Sequence, residues 1–376
     1  MADYKSYVKE HFAEALDDLR ALAVIPAPSH HEERRAAWVA DWFRRHGAEP
    51  VIDEAKNVLI TFGDPTPENP ADVYIAHTDV VFPDTDPLPL VEDGAIFRCP
   101  GVGDDTANLI CLLLAARYLL ETGAKPVRPV IIGANSCEEG LGNLKGVTAI
   151  CDNHPVRQLI SFDGSLARVV VTGVGSFRYK VTVRTEGGHS FGAFGNRNAI
   201  AYLASMIDTL YRMKVPDYGK TTYNVGTISG GTSVNTIAQE ASMLYEFRSD
   251  DRRGLDAMKD FFEKTLDAYR AMGITVKCEL MGRRPCNGDL DQAAMDALLA
   301  MADAKAEAVI GKPLARKSGS TDCNIPLSRG ITAACLGVVV SGGGTHTREE
   351  WVDTASLIQG AEFCLSVVLS SFEENA

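Results

Sequence analysis

Four apolar runs, "DVYIAHTDVV", "RPVIIGANS", "RQLISFDGS" and "ITAACLGVVV", constrain this chain more than anything else in it. Each is nearly continuous in apolar residues instead of alternating with polar ones. A strand that is apolar on both faces must be covered on both faces, as in a parallel sheet flanked by helices. Helical patterns fill the intervals: "YVKEHFAEALDDLRALAVI", "EERRAAWVADWFRRHGAE" ending at Gly47 as a C-cap, and "NLICLLLAARYLLETG" after the short run "NVLITFG". The expected fold class is α/β, built on a mainly parallel sheet.

From about residue 176 the pattern changes, because "SFRYKVTVRTEG" alternates apolar and polar residues as a half-exposed antiparallel strand does. The helix "NAIAYLASMIDTLYRMK" follows, then the strands "TTYNVGTISGG" and "ASMLYEFRSDD", the helix "GLDAMKDFFEKTLDAYRAMG" and the strand "ITVKCELMGR". That β-α-β-β-α-β order is ferredoxin-like. Its end at "RRPCNG" and the return of apolar strands afterwards predict a domain made from residues 1–175 and 286–376, with residues 176–285 inserted as a smaller α+β domain. A chain of 376 residues has room for both.

A formal net charge of −13, with no clustered Lys or Arg, argues against nucleic acid or an anionic membrane as partner. Apolar stretches such as "LICLLLAARYLL" are shorter than the ~20 residues a bilayer needs, so no membrane segment is expected. Nine cysteines without a C-x-x-C pair, behind an N-terminus that reads as a polar amphipathic helix, imply reduced thiols and a cytoplasmic protein.

The apolar runs end on chemistry. "AHTDVV" carries His77 and Asp79, which face the same side of a strand two residues apart. "GVGDDTANL" carries Asp104 and Asp105 before a helix; one acid suffices to cap it, which leaves the other for a different task. "NSCEEGLGN" brings Glu138 and Glu139, "FDGS" brings Asp163, and "GGGTHTREEWVD" brings His346. Ligands of open α/β sheets gather beyond the carboxyl ends of the strands, so all five stretches converge on one crevice. Two imidazoles and several carboxylates suit Zn²⁺, with Mn²⁺ and Co²⁺ as alternatives, and the set is large enough for two ions. A two-metal site needs a bridging carboxylate, terminal ligands on each ion and a free general base, and one of the paired glutamates can be that base.

In this order, together with "GGHSFGAFGNRNAI", "SGGTSVNTIA" and "SGSTDCNIP", the motifs resemble the co-catalytic zinc peptidase family. That family includes peptidase T, carboxypeptidase G, succinyl-diaminopimelate desuccinylase and the aminoacylases. The resemblance covers essentially the whole chain. It implies a metal-binding α/β domain interrupted by a ferredoxin-like lid that dimerises.

Carried over by position, it makes His77 and Asp163 ligands of one metal, Glu139 and His346 ligands of the other, and Asp104 the bridge. Asp79 would orient the His77 ring, and Glu138 would be the general base for a water between the ions. His189 in "GGHSFG" would polarise the scissile carbonyl of the partner subunit's substrate. Asn235 and Arg248 would contact substrate, and Gly319 to Asp322 would form a substrate-side loop. Thr106 and Asn108 depart from the family's commoner Lys and Gly, and Cys137 reads as a small packed residue. Asp163, where other branches carry Glu, points to the peptidase T-like branch. The resemblance implies an exopeptidase of short peptides, an aminopeptidase or di-/tripeptidase, with an N-acyl-amino-acid deacylase or carboxypeptidase as alternative.

Overall fold

The protein is described from a computed structural model, for residues 4–372. The chain divides into two compact units, one formed by Thr172–Asn287 and one by the flanking segments.

The first unit is organised by an eight-stranded sheet. Its strands run in the order Val51–Ile52, Val58–Phe62, Val130–Asn135, Ala71–His77, Val156–Phe162, Thr332–Leu336, Arg168–Gly173 and Ala315–Gly319. The four central strands, from Val130–Asn135 to Thr332–Leu336, are parallel. Val58–Phe62 and Arg168–Gly173 join them antiparallel. Ala71–His77, Val130–Asn135 and Thr332–Leu336 are buried at every position, which is the physical source of their unbroken apolar sequences. Because the four run the same way, they deliver the residues after His77, Asn135, Phe162 and Leu336 to one edge of the sheet.

The helix Ala107–Thr122 buries 12 of its 16 residues and ends at Gly123, whose φ of 63° opens the left-handed turn that stops it. It packs against the strand Ala71–His77 and the helices Tyr4–Ala23 and Thr354–Val368. The C-terminal segment Thr354–Ser371 corrects one expectation: by length and composition it could cross a membrane. It is 67% buried inside the unit, so core packing accounts for its apolar character.

The second unit has the expected β-α-β-β-α-β order. Its four strands lie antiparallel in the sequence Thr221–Gly230, Glu240–Ser249, Gly175–Arg184, Thr275–Arg284. The helix Arg252–Ala271 turns Leu255, Met258, Phe262, Leu266 and Tyr269 inward at helical spacing, and Asp251 caps it by accepting the Arg253 N–H. Phe262 stacks on Tyr179 with ring centroids 4.6 Å apart, at the centre of an aromatic cluster with Tyr245 and Phe247.

Candidate metal centre

His77 ends its strand fully buried, and each polar atom of the residue's amide and ring is committed. Its backbone N–H donates to Asp105 Oδ2 at 2.8 Å, Nδ1 lies 3.0 Å from the Asp79 carbonyl, and Nε2 lies 3.0 Å from Asp104 Oδ1. The Asp79 carboxylate is 3.5 Å from the ring through Oδ1. Its shorter bonds go elsewhere, to the backbone N–H groups of Glu138 and Glu139 at 2.9 and 2.8 Å and to the Ser29 hydroxyl at 2.6 Å. Asp79 therefore fixes the glutamate loop as much as the imidazole.

Neither acid of "GDDT" caps the helix that follows. Residues 102–106 form a wide turn with non-helical backbone angles at Asp104 and Asp105, and the helix begins at Ala107 without a side-chain cap. Asp104 instead reaches two imidazoles, placing Oδ1 3.0 Å from His77 Nε2 and Oδ2 3.1 Å from His346 Nε2. Asp105 is buried, with Oδ1 lacking any hydrogen-bond partner among the described residues. The turn is held from outside by Glu350, which is 1% exposed and accepts from the backbone N–H groups of Gly101, Gly103 and Asp104 at 2.7–2.8 Å. Gly101 is required here: its φ is +75°, and a Cβ would stand 2.4 Å from Val80 Cγ1.

After the strand Val130–Asn135 the chain turns through Cys137 at φ +59° and presents Glu138 and Glu139, both nearly buried. His346 stands at φ +64° beyond the glycine-rich turn, its Nε2 3.0 Å from Glu139 Oε1. His77, Asp104 and Glu139 thus offer ligand atoms within 4.8 Å of one another, as do His77, Asp105 and Asp163. Burial and the neighbouring Glu32 push the Cys137 thiol up to about 12, consistent with a packed residue.

The electrostatics state what this assembly lacks. Burial, with Asp104 close by, pushes Asp163 up to about 7. Burial likewise pushes Glu350 up to about 7 and Asp105 well above the carboxylate range. Burial works the same way on Asp104, but the His346 and His77 rings hold it well below its ordinary value. Its hydrogen bonds to Asp104 and Glu139 raise His346 to about 10. Buried acids in such number repel one another until cations are shared among them, and oxygen and imidazole donors are those that hard and borderline divalent ions take. The residues present fit a pair of divalent cations.

A pH dependence follows for metal-stripped protein. Asp163 and Glu350, raised from about 4, bind more protons folded than unfolded, so stability falls as pH rises from about 4 to about 7. The His346 contribution, complete below its ordinary value, is lost as pH climbs toward about 10. The Tm of stripped protein is expected to fall between about pH 5 and pH 9, and added metal to flatten the slope. A melting curve series in which Tm rises with pH would contradict this.

Beside the acids opens a cleft of about 470 Å³, lined among others by Asp104, Asp163, Arg168, Lys317 and Trp351. Gly319, Ser320 and Thr321 line it too, whereas Asp322 is buried and accepts from Asn135 Nδ2 at 2.7 Å. In the second unit His189 is exposed, and its Nδ1 accepts from the N–H groups of Phe191 and Gly192 at 3.3 Å. Asn235 lies beside it, its carbonyl accepting from Ser190 N–H at 2.9 Å. Arg248 is forked onto Glu246 at 3.0–3.1 Å.

Sequence reasoning passed over Ser29, Arg35 and Glu350. For Arg35 a signal existed, since helical spacing sets it on one face with Ala36, Val39 and Phe43. For Glu350 the only pointer was its place four residues after His346.

Over residues 73–370 the chain matches peptidase family M20/M25/M40. It is 24% identical to the uncharacterised protein YqjE of Bacillus subtilis, across 94% of this chain and 97% of that one. Among solved structures it resembles the aminopeptidase PepT of Bacillus cereus, with TM-score 0.72 and 21% identity over 95% of this chain and 98% of that one. A Staphylococcus aureus tripeptidase matches with TM-score 0.73 and 22% identity, over 95% and 97% of the two chains. A metallo-carboxypeptidase of Sulfolobus solfataricus matches with TM-score 0.73 at 13% identity, over 94% and 98%. At such identities the structural likeness speaks for the fold.

Proposed function

The chain belongs to peptidase family M20/M25/M40, metal-dependent hydrolases of peptide and amide bonds, and on that premise we propose that it is a dinuclear-metal exopeptidase of short peptides. The observation that carries this reading is Asp104, one carboxylate oxygen against each of two imidazoles. In this reading His77 and Asp163 would hold one ion, Glu139 and His346 the other, and Asp104 would be shared between them. The ions held there, zinc first and manganese or cobalt as alternatives, would supply Lewis acidity toward the scissile carbonyl and the attacking water.

Glu138 takes the proton from that water and returns it to the leaving amine. Its backbone is pinned by Asp79, whose Oδ1 accepts the Glu138 N–H at 2.9 Å. His189 donates to the oxyanion of the partner subunit's substrate: with Nδ1 accepting two backbone N–H groups, a neutral ring carries its proton on Nε2. Asn235 and Arg248 contact the substrate, and Arg248 does so by exchanging Glu246 for a substrate carboxylate.

A homodimer through the inserted unit is supported by its exposed edge strand Thr221–Gly230 and by Phe191 and Phe194, each 90% exposed. Nine free cysteines suit the reducing cytoplasm.

The test is a panel of di- and tripeptides, N-acyl amino acids and C-terminally blocked peptides, assayed on stripped protein with Zn²⁺, Mn²⁺ or Co²⁺ restored. Metal-dependent release of residues from peptides with a free N-terminus is expected. Turnover confined to N-acyl amino acids would replace this reading with a deacylase, and release of the C-terminal residue from the peptides with a carboxypeptidase.

A further inference from the structure

Arg35 is the one buried Lys or Arg of the first unit among the described residues, with no exposed surface. It lies on the buried face of the helix Glu33–Arg45, and every hydrogen bond recorded for its guanidinium goes to a neutral acceptor. Nε donates to the Ile25 carbonyl at 2.8 Å, and Nη1 to the Thr78 carbonyl and to Thr106 Oγ1, both at 3.1 Å. Nη2 reaches the Ala23 carbonyl at 3.5 Å. Thr78 sits between His77 and Asp79, and Thr106 directly follows Asp104 and Asp105. One side chain thus ties together the two loops that carry the first ligands.

Among the described residues no carboxylate touches Arg35, so its charge is not spent in an ion pair there. Burial draws the guanidinium down to about 10, which leaves it charged at neutral pH, and Asp79, Asp105 and Glu350 act on it through space. The first two of these acids are hydrogen-bonded to the ligand loops, and Asp105 stands within reach of His77 and Asp163 in the same acidic cluster. A fixed internal cation adds to the His77 and His346 rings in keeping such a cluster assembled between binding events, and unlike them it is not itself taken up by metal.

We propose that Arg35 is an electrostatic positioning residue of the metal centre, a permanent cation beneath the ligand loops that holds the acids together before metal arrives and is opposed to metal once it binds. The proposal rests on the two-metal reading above. A side chain that serves only packing would stabilise stripped and loaded protein alike. A counter-charge stabilises the stripped form more, and by the same linkage weakens metal binding.

The experiment compares full-length wild type, R35Q and R35K, each stripped of metal. Mn²⁺ binding is measured by calorimetric titration, and Tm with and without Mn²⁺ by thermal melting. R35Q removes the charge and keeps a hydrogen-bonding head; R35K keeps the charge and loses the fork. R35Q is expected to melt lower when stripped and to bind Mn²⁺ roughly tenfold more tightly. Its Tm rise on Mn²⁺ addition should exceed that of wild type by about 3 °C or more. R35K should match wild type in both. An R35Q chain that folds only with Mn²⁺ present reads the same way. R35Q affinity that is unchanged or weaker, R35Q and R35K behaving alike, or an R35Q chain unfolded even with Mn²⁺ would each overturn the proposal. Absence of Mn²⁺ binding by the unsubstituted chain would overturn the two-metal reading itself and this proposal with it.

Discussion

Glu138→Ala is expected to lower kcat by about 10²- to 10⁴-fold while both metal equivalents stay bound. The side chain is nearly buried in the loop after the central strand Val130–Asn135, and the ligand set does not require it. Asp79 grips this loop through backbone N–H groups, which any residue at position 138 other than proline provides, so the loop and the Glu139 ligand survive the substitution. The loss should fall on kcat with little change in KM, because a group that moves a proton acts in the transition state. Near-normal turnover with two metals bound would assign the base elsewhere.

The second large effect belongs to Asp104. Replacing it by alanine removes the only carboxylate among the described residues that stands against both His77 and His346. In the proposed site, with it go the oxygens that two cations would share, and the imidazoles lose their common partner. Asp104→Ala is expected to retain at most one metal equivalent, with the remaining affinity down by about 100-fold or more, and to show activity at background. Asp105→Ala is the instructive control. Its carboxylate accepts the His77 backbone N–H, so its loss should weaken the site less. Should the order be reversed, with Asp105→Ala abolishing the second metal and Asp104→Ala leaving it, the bridge is Asp105.

Much of the fold was legible because the central strands are covered on both faces. Such strands tolerate few polar residues, so the first His, Asp or Glu after each apolar run marks the point where the chain leaves the sheet. His77, Glu138, Glu139 and Asp163 were singled out this way, Asp104 as one of two acids before a helix, and His346 after a glycine-rich turn. Parallel pairing of the central strands carries the residues after His77, Asn135, Phe162 and Leu336 to one edge.

What was less legible is the support beneath them. Arg34 and Arg35 are adjacent and chemically identical in sequence, yet one is exposed and the other has no exposed surface. Glu349 and Glu350 divide in the same way. Only helical phase separates the first pair, and only tertiary contact with the 101–104 turn separates the second. The two acids of "GDDT" misled for a related reason: an acid before a helix is ordinarily a cap, and here tertiary partners claimed both carboxylates. The apolar C-terminal helix shows the same limit, since composition alone cannot tell a core helix from one that crosses a bilayer.

All of these arguments require that two cations be held in common by residues drawn from five separate stretches of the chain. The most direct test is a crystal structure of the Zn²⁺- or Mn²⁺-loaded protein with anomalous data collected at the metal edge. Two peaks about 3.5–4 Å apart are expected, one against His77 and Asp163, the other against Glu139 and His346, with Asp104 touching both. A single peak, or metal bound away from these side chains, would contradict the account.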